Sequence, residues 1–332
     1  MIRAGLLGLG TIGQVHYEDG YKKLTHKLSL DACFDVVKEN LDITEGARCY
    51  TDLDEFLKKE QGKLDFIDIC LPTFLHKEVS IKAMEMGFNV LCEKPMALSA
   101  SDAKEMYEAS LRTGKKLMIA HVLRFNDDFE IIKKIIDSKE LGEIRNVIYT
   151  DYRRGVPAGH NNWFKNISLS GGPVFDVHIH DTDALIWFFG APEYITTISP
   201  KKSEAGSYDA FSTLAEYKKE LTVNIHCDFT LPSVKHNTGR GIRLIFDKGY
   251  IIKNRDMFIK VDEEGKETDL VNERCKDYSG NLMYKKEIEY FADSLINNSP
   301  LSKCTPLDSV YSVRFVEAQI DSADKNGEKI KF

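Results

Sequence analysis

Short apolar runs alternate with longer amphipathic stretches through the first third of the chain. Ile2 to Leu7, Leu28 to Phe34, Phe66 to Leu71, Asn89 to Cys92 and Leu117 to Ala120 read as strands. A helical pattern follows Gly13 to about Leu24, and others lie at about 52–60, 76–86 and 101–113. This is the strand–helix–strand rhythm of a parallel sheet. Near residue 122 the pattern changes. Strand-like stretches at about 143–153, 193–199, 208–217, 220–230, 241–247 and 250–261 form a nearly continuous antiparallel pattern, with Asp247-Lys248-Gly249 and Glu263-Glu264-Gly265 as turns. Helical patterns return at about 282–297 and 307–325. With no internal repeat and no low-complexity linker, the change of pattern divides the chain into domains at 1–121 and 122–332.

Composition narrows the class. A chain of 332 residues with 42% hydrophobic content can bury a substantial core. Its 45 basic and 52 acidic residues give a net charge of −7, which offers no footprint for nucleic acid and no polybasic patch for a membrane. Small-molecule chemistry is the expectation. Seven cysteines, an odd number without a Cys-x-x-Cys pair, signal neither a disulfide framework nor a zinc ribbon and fit a reducing cytoplasm. The sequence opens on a strand-like run rather than a signal peptide, and no apolar stretch reaches membrane-spanning length, so a soluble cytoplasmic protein is expected.

The first run ends in Gly8-Leu9-Gly10-Thr11-Ile12-Gly13 and leads into a helix, the placement that gives Gly-x-Gly-x-x-Gly its meaning. Gly8 permits the tight turn, Gly10 lets the backbone approach a pyrophosphate, and Gly13 lets helix and strand pack. Alone the pattern is weak, since any tight strand-to-helix turn uses glycine. The second run ends in Asp35, twenty-two residues beyond Gly13, where a carboxylate can accept hydrogen bonds from a ribose diol. An acidic group there repels a 2′-phosphate, and Val36-Val37 supplies no arginine to receive one, so NAD is expected over NADP, with Lys38 the one nearby cation against. The later runs end in Leu71-Pro72-Thr73-Phe74-Leu75-His76, Glu93-Lys94-Pro95 and His121 to Phe125. Ligands of open α/β sheets sit at such carboxyl ends, so Leu71, Pro72, His76, Glu93 and Lys94 join Gly8, Gly10, Thr11, Ile12, Gly13 and Asp35 as expected cofactor-binding residues.

In their order and spacing, Gly8 to Gly13 followed by His16, then Asp35, Pro72 with His76, Glu93-Lys94-Pro95, Arg124-Phe125, and Gly171-Gly172 leading to Asp176 and His180 carry a resemblance. The chain resembles the Gfo/Idh/MocA oxidoreductases from its first strand through at least residue 190. The resemblance implies an α/β chain in which an N-terminal Rossmann dinucleotide-binding domain is joined to a C-terminal α/β domain with a large open, mostly antiparallel sheet. It implies NAD(P)-dependent oxidation or reduction of sugars, cyclitols or their derivatives, and a homodimer or homotetramer through that sheet. Pro173 stands where many relatives have a third glycine; proline suits a first helical turn, so the geometry near Asp176 is expected to survive.

Between Gly171 and Asp183 two histidines and three aspartates crowd into thirteen residues. Pro173 suits a helix start and Gly190-Ala191-Pro192 a stop, so residues 173–189 are expected to form one helix. At about 100° per residue, Asp176, His180 and Asp183 share a narrow arc, while His178 falls with Phe175, Ile179 and Leu185 on the apolar side. A metal held by both histidines needs them on one face, so no metal is expected, and His178 reads as a core histidine.

Oxidising a secondary alcohol requires a hydride acceptor and a base. His180 is the candidate base, because its ordinary pKa lies near neutrality, and Asp176 would orient its ring or bind a neighbouring hydroxyl. The resemblance assigns Lys94 a hydrogen bond to the reacting oxygen, and beside a cationic nicotinamide its pKa should fall. Lys94, Asp176 and His180 are thus the expected catalytic residues. Arg124, Tyr152, Arg153, His160 and Trp163 are candidates to line a polyol pocket, and Arg153-Arg154 weakly suggests an anionic group on the substrate. Two other readings compete: a redox-assisted glycosidase or lyase that recycles a tightly bound NAD, and a non-enzymatic NAD-binding regulator. The presence of both Lys94 and His180 speaks against the regulator.

Overall fold

The computed structural model describes residues 1–153, 160–200, 202–203, 206–231, 239–278 and 280–332. They divide into two compact units, Met1–Asn126 with Ser279–Val310, and Asp127–Tyr278 with Tyr311–Phe332.

The first unit opens with strand β1 (Ile2–Leu7) and helix α1 (Thr11–Val15). Strands β2 (Leu28–Phe34) and β3 (Arg48–Tyr50), helix α2 (Leu53–Glu60), strand β4 (Phe66–Ile69), helix α3 (Thr73–Glu85), strand β5 (Asn89–Glu93), helix α4 (Ala100–Thr113) and strand β6 (Leu117–Ala120) follow. The strands form a six-stranded parallel sheet in the order β3-β2-β1-β4-β5-β6. The order reverses between β1 and β4, which is where a doubly wound sheet opens its ligand crevice. All residues of β4 and β6 are buried, as a parallel sheet covered on both faces requires. The helical pattern after Gly13 is present but not uniform: α1 continues into a wider π turn at His16–Gly20 and a 3-10 turn at Tyr21–Lys23. The wide turn buries His16, Tyr17 and Gly20.

The second part of the chain runs through helix α5 (Asp127–Ser138), strand β7 (Ile144–Tyr152) and helices α6 (Ile167–Ser170), α7 (Pro173–Asp176) and α8 (Ile179–Phe189). Strands β8 (Tyr194–Ile198), β9 (Ala210–Glu216), β10 (Thr222–Asp228), β11 (Gly239–Phe246), β12 (Gly249–Lys253), β13 (Phe258–Asp262) and β14 (Glu267–Asp269) come next. Helices α9 (Leu282–Ile296) and α10 (Pro306–Asp324) and strand β15 (Ile330–Lys331) end it. The nine strands form one sheet, β14-β13-β12-β11-β7-β10-β9-β8-β15, antiparallel throughout except where β7 and β10 run parallel. Strict alternation marks one buried face: Val223, Ile225 and Cys227 of β10 point inward while Asn224 and His226 are exposed.

Several elements differ from the pattern-based expectation. The stretch 250–261 is two strands, because the Asn254 side-chain oxygen accepts the N–H groups of Asp256 and Met257 and turns the chain between them. Helix α5 and strand β3 were not anticipated. Residues 279–310 do not follow the division at 121/122, since Ile288, Phe291 and Ala292 of α9 join Leu6, Phe66, Leu91 and Met118 in the core of the first unit. Phe291 meets Phe66 edge to face at 5.2 Å between centroids. Among the described residues no helix is long and apolar enough to cross a membrane. Among the described residues no disulfide is formed, and Cys33, Cys70, Cys92, Cys227 and Cys304 are buried.

Candidate active site

The three glycines of the first loop have three different surroundings. Gly8 has φ +89°, and a Cβ on it would lie 2.7 Å from the Cys70 carbonyl oxygen. A Cβ on Gly13 would lie 1.9 Å from the Gly8 carbonyl oxygen, so only glycine lets the helix start against the strand. Around Gly10 no atom lies within 4 Å of the place a Cβ would take. That open space suits the close approach of a pyrophosphate, and Gly10 and Thr11 beside it are exposed.

Asp35, directly after β2, is buried. Its Oδ2 accepts the Leu9 N–H at 2.6 Å and Asn40 Nδ2 at 3.2 Å, and its Oδ1 accepts the Val37 N–H at 2.8 Å. The carboxylate therefore braces the glycine loop as well as ending the strand. Of its about four lone-pair positions, three are taken, and one on Oδ1 is left for a ribose hydroxyl. The residues present fit a dinucleotide.

The loops after β4 and β5 are tied together. His76 is buried, with Nδ1 2.8 Å from the Pro95 carbonyl and Nε2 2.8 Å from the Leu71 carbonyl. Burial lowers its pKa. This histidine lies between the Leu71-Pro72 turn and the Glu93-Lys94-Pro95 turn, each ring nitrogen within hydrogen-bond distance of a main-chain carbonyl, and the one N–H of its neutral ring donates to one of them. Glu93, left open by the sequence between Lys94 and the cofactor, turns inward. Its Oε1 lies 3.1 Å from His16 Nε2, and its Oε2 accepts the Lys94 N–H at 3.0 Å. Burial raises the Glu93 pKa, but the hydrogen bond and charge of His16 outweigh it and the net shift is downward.

In the second unit the expected single helix over 173–189 is broken into α7 and α8. The His178 N–H reaches back to the Pro173 carbonyl, one residue further than in a regular helix, and His178 starts the new helix. What fixes the break is the side chain of His178. It is 0% exposed, with Nδ1 2.9 Å from Asp181 Oδ2 and Nε2 3.1 Å from Gln319 Oε1 of α10. The core reading of His178 holds, with polar partners at both ring nitrogens and the rings of Phe211 and Phe229 beside it at 6.0 and 6.3 Å between centroids. Burial lowers its pKa, while Cys227 and Asp181 raise it, and the balance stands at about 10. Asp176 and His180 remain half-buried. Asp183 does not share their environment: it is fully buried and accepts the Ser312 hydroxyl at 3.0 Å.

Asp181 is the centre of a buried ionic cluster. Tyr149 donates its hydroxyl to it at 2.9 Å and Arg240 its Nε at 2.6 Å. Burial raises the Asp181 pKa, but Arg240 and His178 overcome this and hold it below the ordinary carboxylate range. The neighbouring Asp151, equally buried and facing the charge of Asp181, is pushed up to about 6.

Two of the pocket candidates are spent on the protein itself. Arg124 is 0% exposed and donates Nη1 to the Lys303 carbonyl at 2.7 Å and to Asp308 at 2.9 Å, so it has a structural task. Arg153 chelates Asp151, with Nε at 2.9 Å from one oxygen and Nη2 at 2.8 Å from the other, which removes the motive for an anionic substrate group at that residue. Tyr152 is half-buried beside His226, and Trp163 is half-buried and stacked on Phe164 at 3.9 Å between centroids. Arg154 and the side chain of His160 lie outside the described residues. The residues that sequence reasoning missed are Asp68, Asp151 and Arg240. Asp68 carried a signal, being the one charge in the otherwise apolar run Phe66-Ile67-Asp68-Ile69.

Comparison with known proteins places these features in a family. Residues 2–121 match the model of an oxidoreductase family with an NAD-binding Rossmann fold, and residues 129–252 match the GFO/IDH/MocA C-terminal domain. An inositol 2-dehydrogenase of Arthrobacter sp. (strain FB24) is 24% identical over 340 residues, covering 99% of this chain and 95% of its own length. The scyllo-inositol 2-dehydrogenase (NADP(+)) of Bacillus subtilis (strain 168) is 25% identical over 66% of this chain and 60% of its own. Among solved structures, levoglucosan dehydrogenase in complex with NADH and levoglucosan has the same fold, with a TM-score of 0.87 over 99% of both chains at 17% identity. With both domain models matched in order along one chain, the protein belongs to the Gfo/Idh/MocA family of oxidoreductases.

Proposed function

We propose that this chain is an NAD-dependent dehydrogenase or reductase that interconverts a secondary alcohol and a ketone on a sugar, a cyclitol or a derivative. The observation that carries the reading is the sorting of the cluster at 176–183. His178, Asp181 and Asp183 are fully buried and committed to protein partners, whereas Asp176 and His180 keep partial exposure. A base must reach its substrate, and those are the two ionisable groups of the cluster that solvent can reach.

The bound nicotinamide supplies the hydride acceptor or donor. His180 takes the hydroxyl proton in oxidation and returns it in reduction, with Asp176 orienting the ring or binding an adjacent hydroxyl. Lys94 donates a hydrogen bond to the reacting oxygen. Asp35 supports NAD over NADP, because a buried carboxylate beside a 2′-phosphate would be repelled. Tyr152 and Trp163 remain proposed substrate contacts. The open face of the nine-stranded sheet, where Ile148 and Leu214 are exposed, supports a homo-oligomer through that face.

The test is a panel of inositols, pyranoses and sugar acids, offered with NAD and separately with NADP and followed at 340 nm. Turnover with at least one polyol, faster with NAD, is expected. Silence across the panel with either cofactor, from protein that binds NAD, overturns the dehydrogenase reading.

A further inference from the structure

His16 lies in the wide turn after α1 and is 0% exposed. Its Nδ1 is 2.8 Å from Asp68 Oδ2, at the end of β4, and its Nε2 is 3.1 Å from Glu93 Oε1, at the end of β5. Tyr21 donates its hydroxyl to the same Asp68 oxygen at 3.0 Å. Cys70 Sγ is 3.5 Å from Nδ1, and the Tyr284 ring of α9 packs 5.9 Å from the imidazole. An ionised carboxylate can only accept, so between two ionised carboxylates the imidazole carries a proton on each nitrogen. Burial alone would depress the His16 pKa, but Cys70 and Asp68 overcome it and raise it well above the ordinary value.

The donor atoms of His16, Asp68 and Cys70 lie within 4.8 Å of one another, a spacing that could suggest a metal. The chemistry points elsewhere. Each ring nitrogen already faces a carboxylate oxygen within hydrogen-bond distance, and burial with the charge of Asp68 pushes the Cys70 thiol well above its ordinary range, away from the thiolate a metal needs. The cluster is an ion pair in which one cation is shared by two acids.

Its outlet is Lys94. Glu93 spends one oxygen on His16 and the other on the Lys94 N–H. We propose that His16 is a positioning residue for Lys94: as an imidazolium it fixes the Glu93 carboxylate, and Glu93 in turn fixes the main chain from which the Lys94 side chain departs. This rests on the reading of Lys94 as the group that contacts the reacting oxygen. A neutral residue in place of His16 leaves two buried carboxylates without their cation, so Glu93 takes up a proton or turns away, and the Lys94 N–H loses its charged acceptor.

The experiment uses the full chain and has a spectroscopic arm and a kinetic arm. With 15N-labelled histidine and lysine, both His16 ring nitrogens should stay protonated from pH 6 to 9, and the Lys94 amide proton should move upfield in His16→Gln. In turnover, His16→Gln should lower kcat about tenfold or more with the NAD Kd changed less than about threefold, and adding Glu93→Gln should cost little more, as for residues that act as one unit. A ring that titrates near its ordinary pKa, an unmoved Lys94 amide, or additive losses in the double variant overturns the proposal. If His16→Gln does not fold, Glu93→Gln alone carries both arms, since it too removes the charged acceptor. If the wild-type protein turns over no polyol, the reading of its function falls, while the spectroscopic arm still decides whether His16 holds Lys94.

Discussion

In each unit a fully buried histidine meets side chains through both ring nitrogens, and in each the gripped acid is the chain neighbour of a proposed catalytic residue. In the first unit His16 holds Glu93, which precedes Lys94; in the second His178 holds Asp181, which follows His180. The surroundings differ in charge. His16 stands between Asp68 and Glu93, and the charge of Lys94, adjacent in sequence, also acts on Glu93. His178 has a carboxamide on its far side, Gln319, which passes the network on to Thr213 and Thr197. Its acid is shared with Arg240 and Tyr149. Remove His16 and both acids lose the ring that bridges them, leaving Glu93 the charge of Lys94. Remove His178 and Asp181 keeps Arg240. The first histidine should therefore act on chemistry through the Lys94 main chain, and the second on the stability of the segment that carries His180.

The largest effect is expected between two residues only two positions apart. His180→Ala should lower turnover at least about a hundredfold while leaving NAD binding intact, as for loss of a general base. His178→Gln should change turnover per folded molecule by less than about threefold. Steady-state rates on the best polyol of the panel, normalised to the folded fraction, check both. Equal losses in the two variants would erase the distinction between the proposed base and its buried neighbour.

Asp35 is a buried acid of another kind, held by amide N–H groups rather than by a cation. Asp35→Asn keeps an acceptor oxygen for the glycine loop but removes the charge that repels a 2′-phosphate. About a tenfold fall in the NAD:NADP ratio of kcat/KM is expected, equivalent to about 1.4 kcal/mol of discrimination. The ratio is read from paired titrations with the two cofactors. An unchanged ratio would mean that the carboxylate serves the loop and not cofactor choice.

What could be read without coordinates follows from the range of the forces involved. β1, β2 and β6 lie where the apolar runs put them, because a strand buried on both faces needs only a short apolar run between turns. The tight glycine turn after β1 was equally legible, since it is set by backbone geometry within one strand–turn–helix unit. Contacts made far along the chain were not. Arg124 looked like a pocket residue at a strand end, yet its partners Lys303 and Asp308 come some 180 residues later, and no period in the sequence announces them. The apolar face of α9 was visible, but nothing in it says which unit's core it completes. The break before α8 belongs to the same class: 3.6-residue periodicity sorted His178 from His180, whereas the turn that swings His178 onto Gln319 depends on a partner 141 residues away.

The smallest effect tests the likeness of the two histidines most directly, through pH. The folded-state pKa of His178, about 10, lies above its unfolded value of about 6.5. The stability it contributes is therefore fully present below about pH 6.5 and is lost as pH rises toward 10. Asp181 is shifted the opposite way, so what it contributes is present above the ordinary carboxylate range and lost only in acid; it does not change between pH 7 and 10. Asp151, at about 6, has also finished titrating by then. Over that window His178 is thus the member of the Asp151, Asp181 and Arg240 group whose charge changes, with the Cys227 thiol the other titratable group that faces its ring. His178→Gln should cost about 1–3 kcal/mol at pH 7, the worth of a hydrogen bond to a charged group, and urea midpoints of the two proteins should converge as pH approaches 10. A gap that stays constant would mean a neutral ring in the folded state. Asp181 would then be held by Arg240 and Tyr149 alone, and the imidazolium between two acceptors would be a feature of the first unit only.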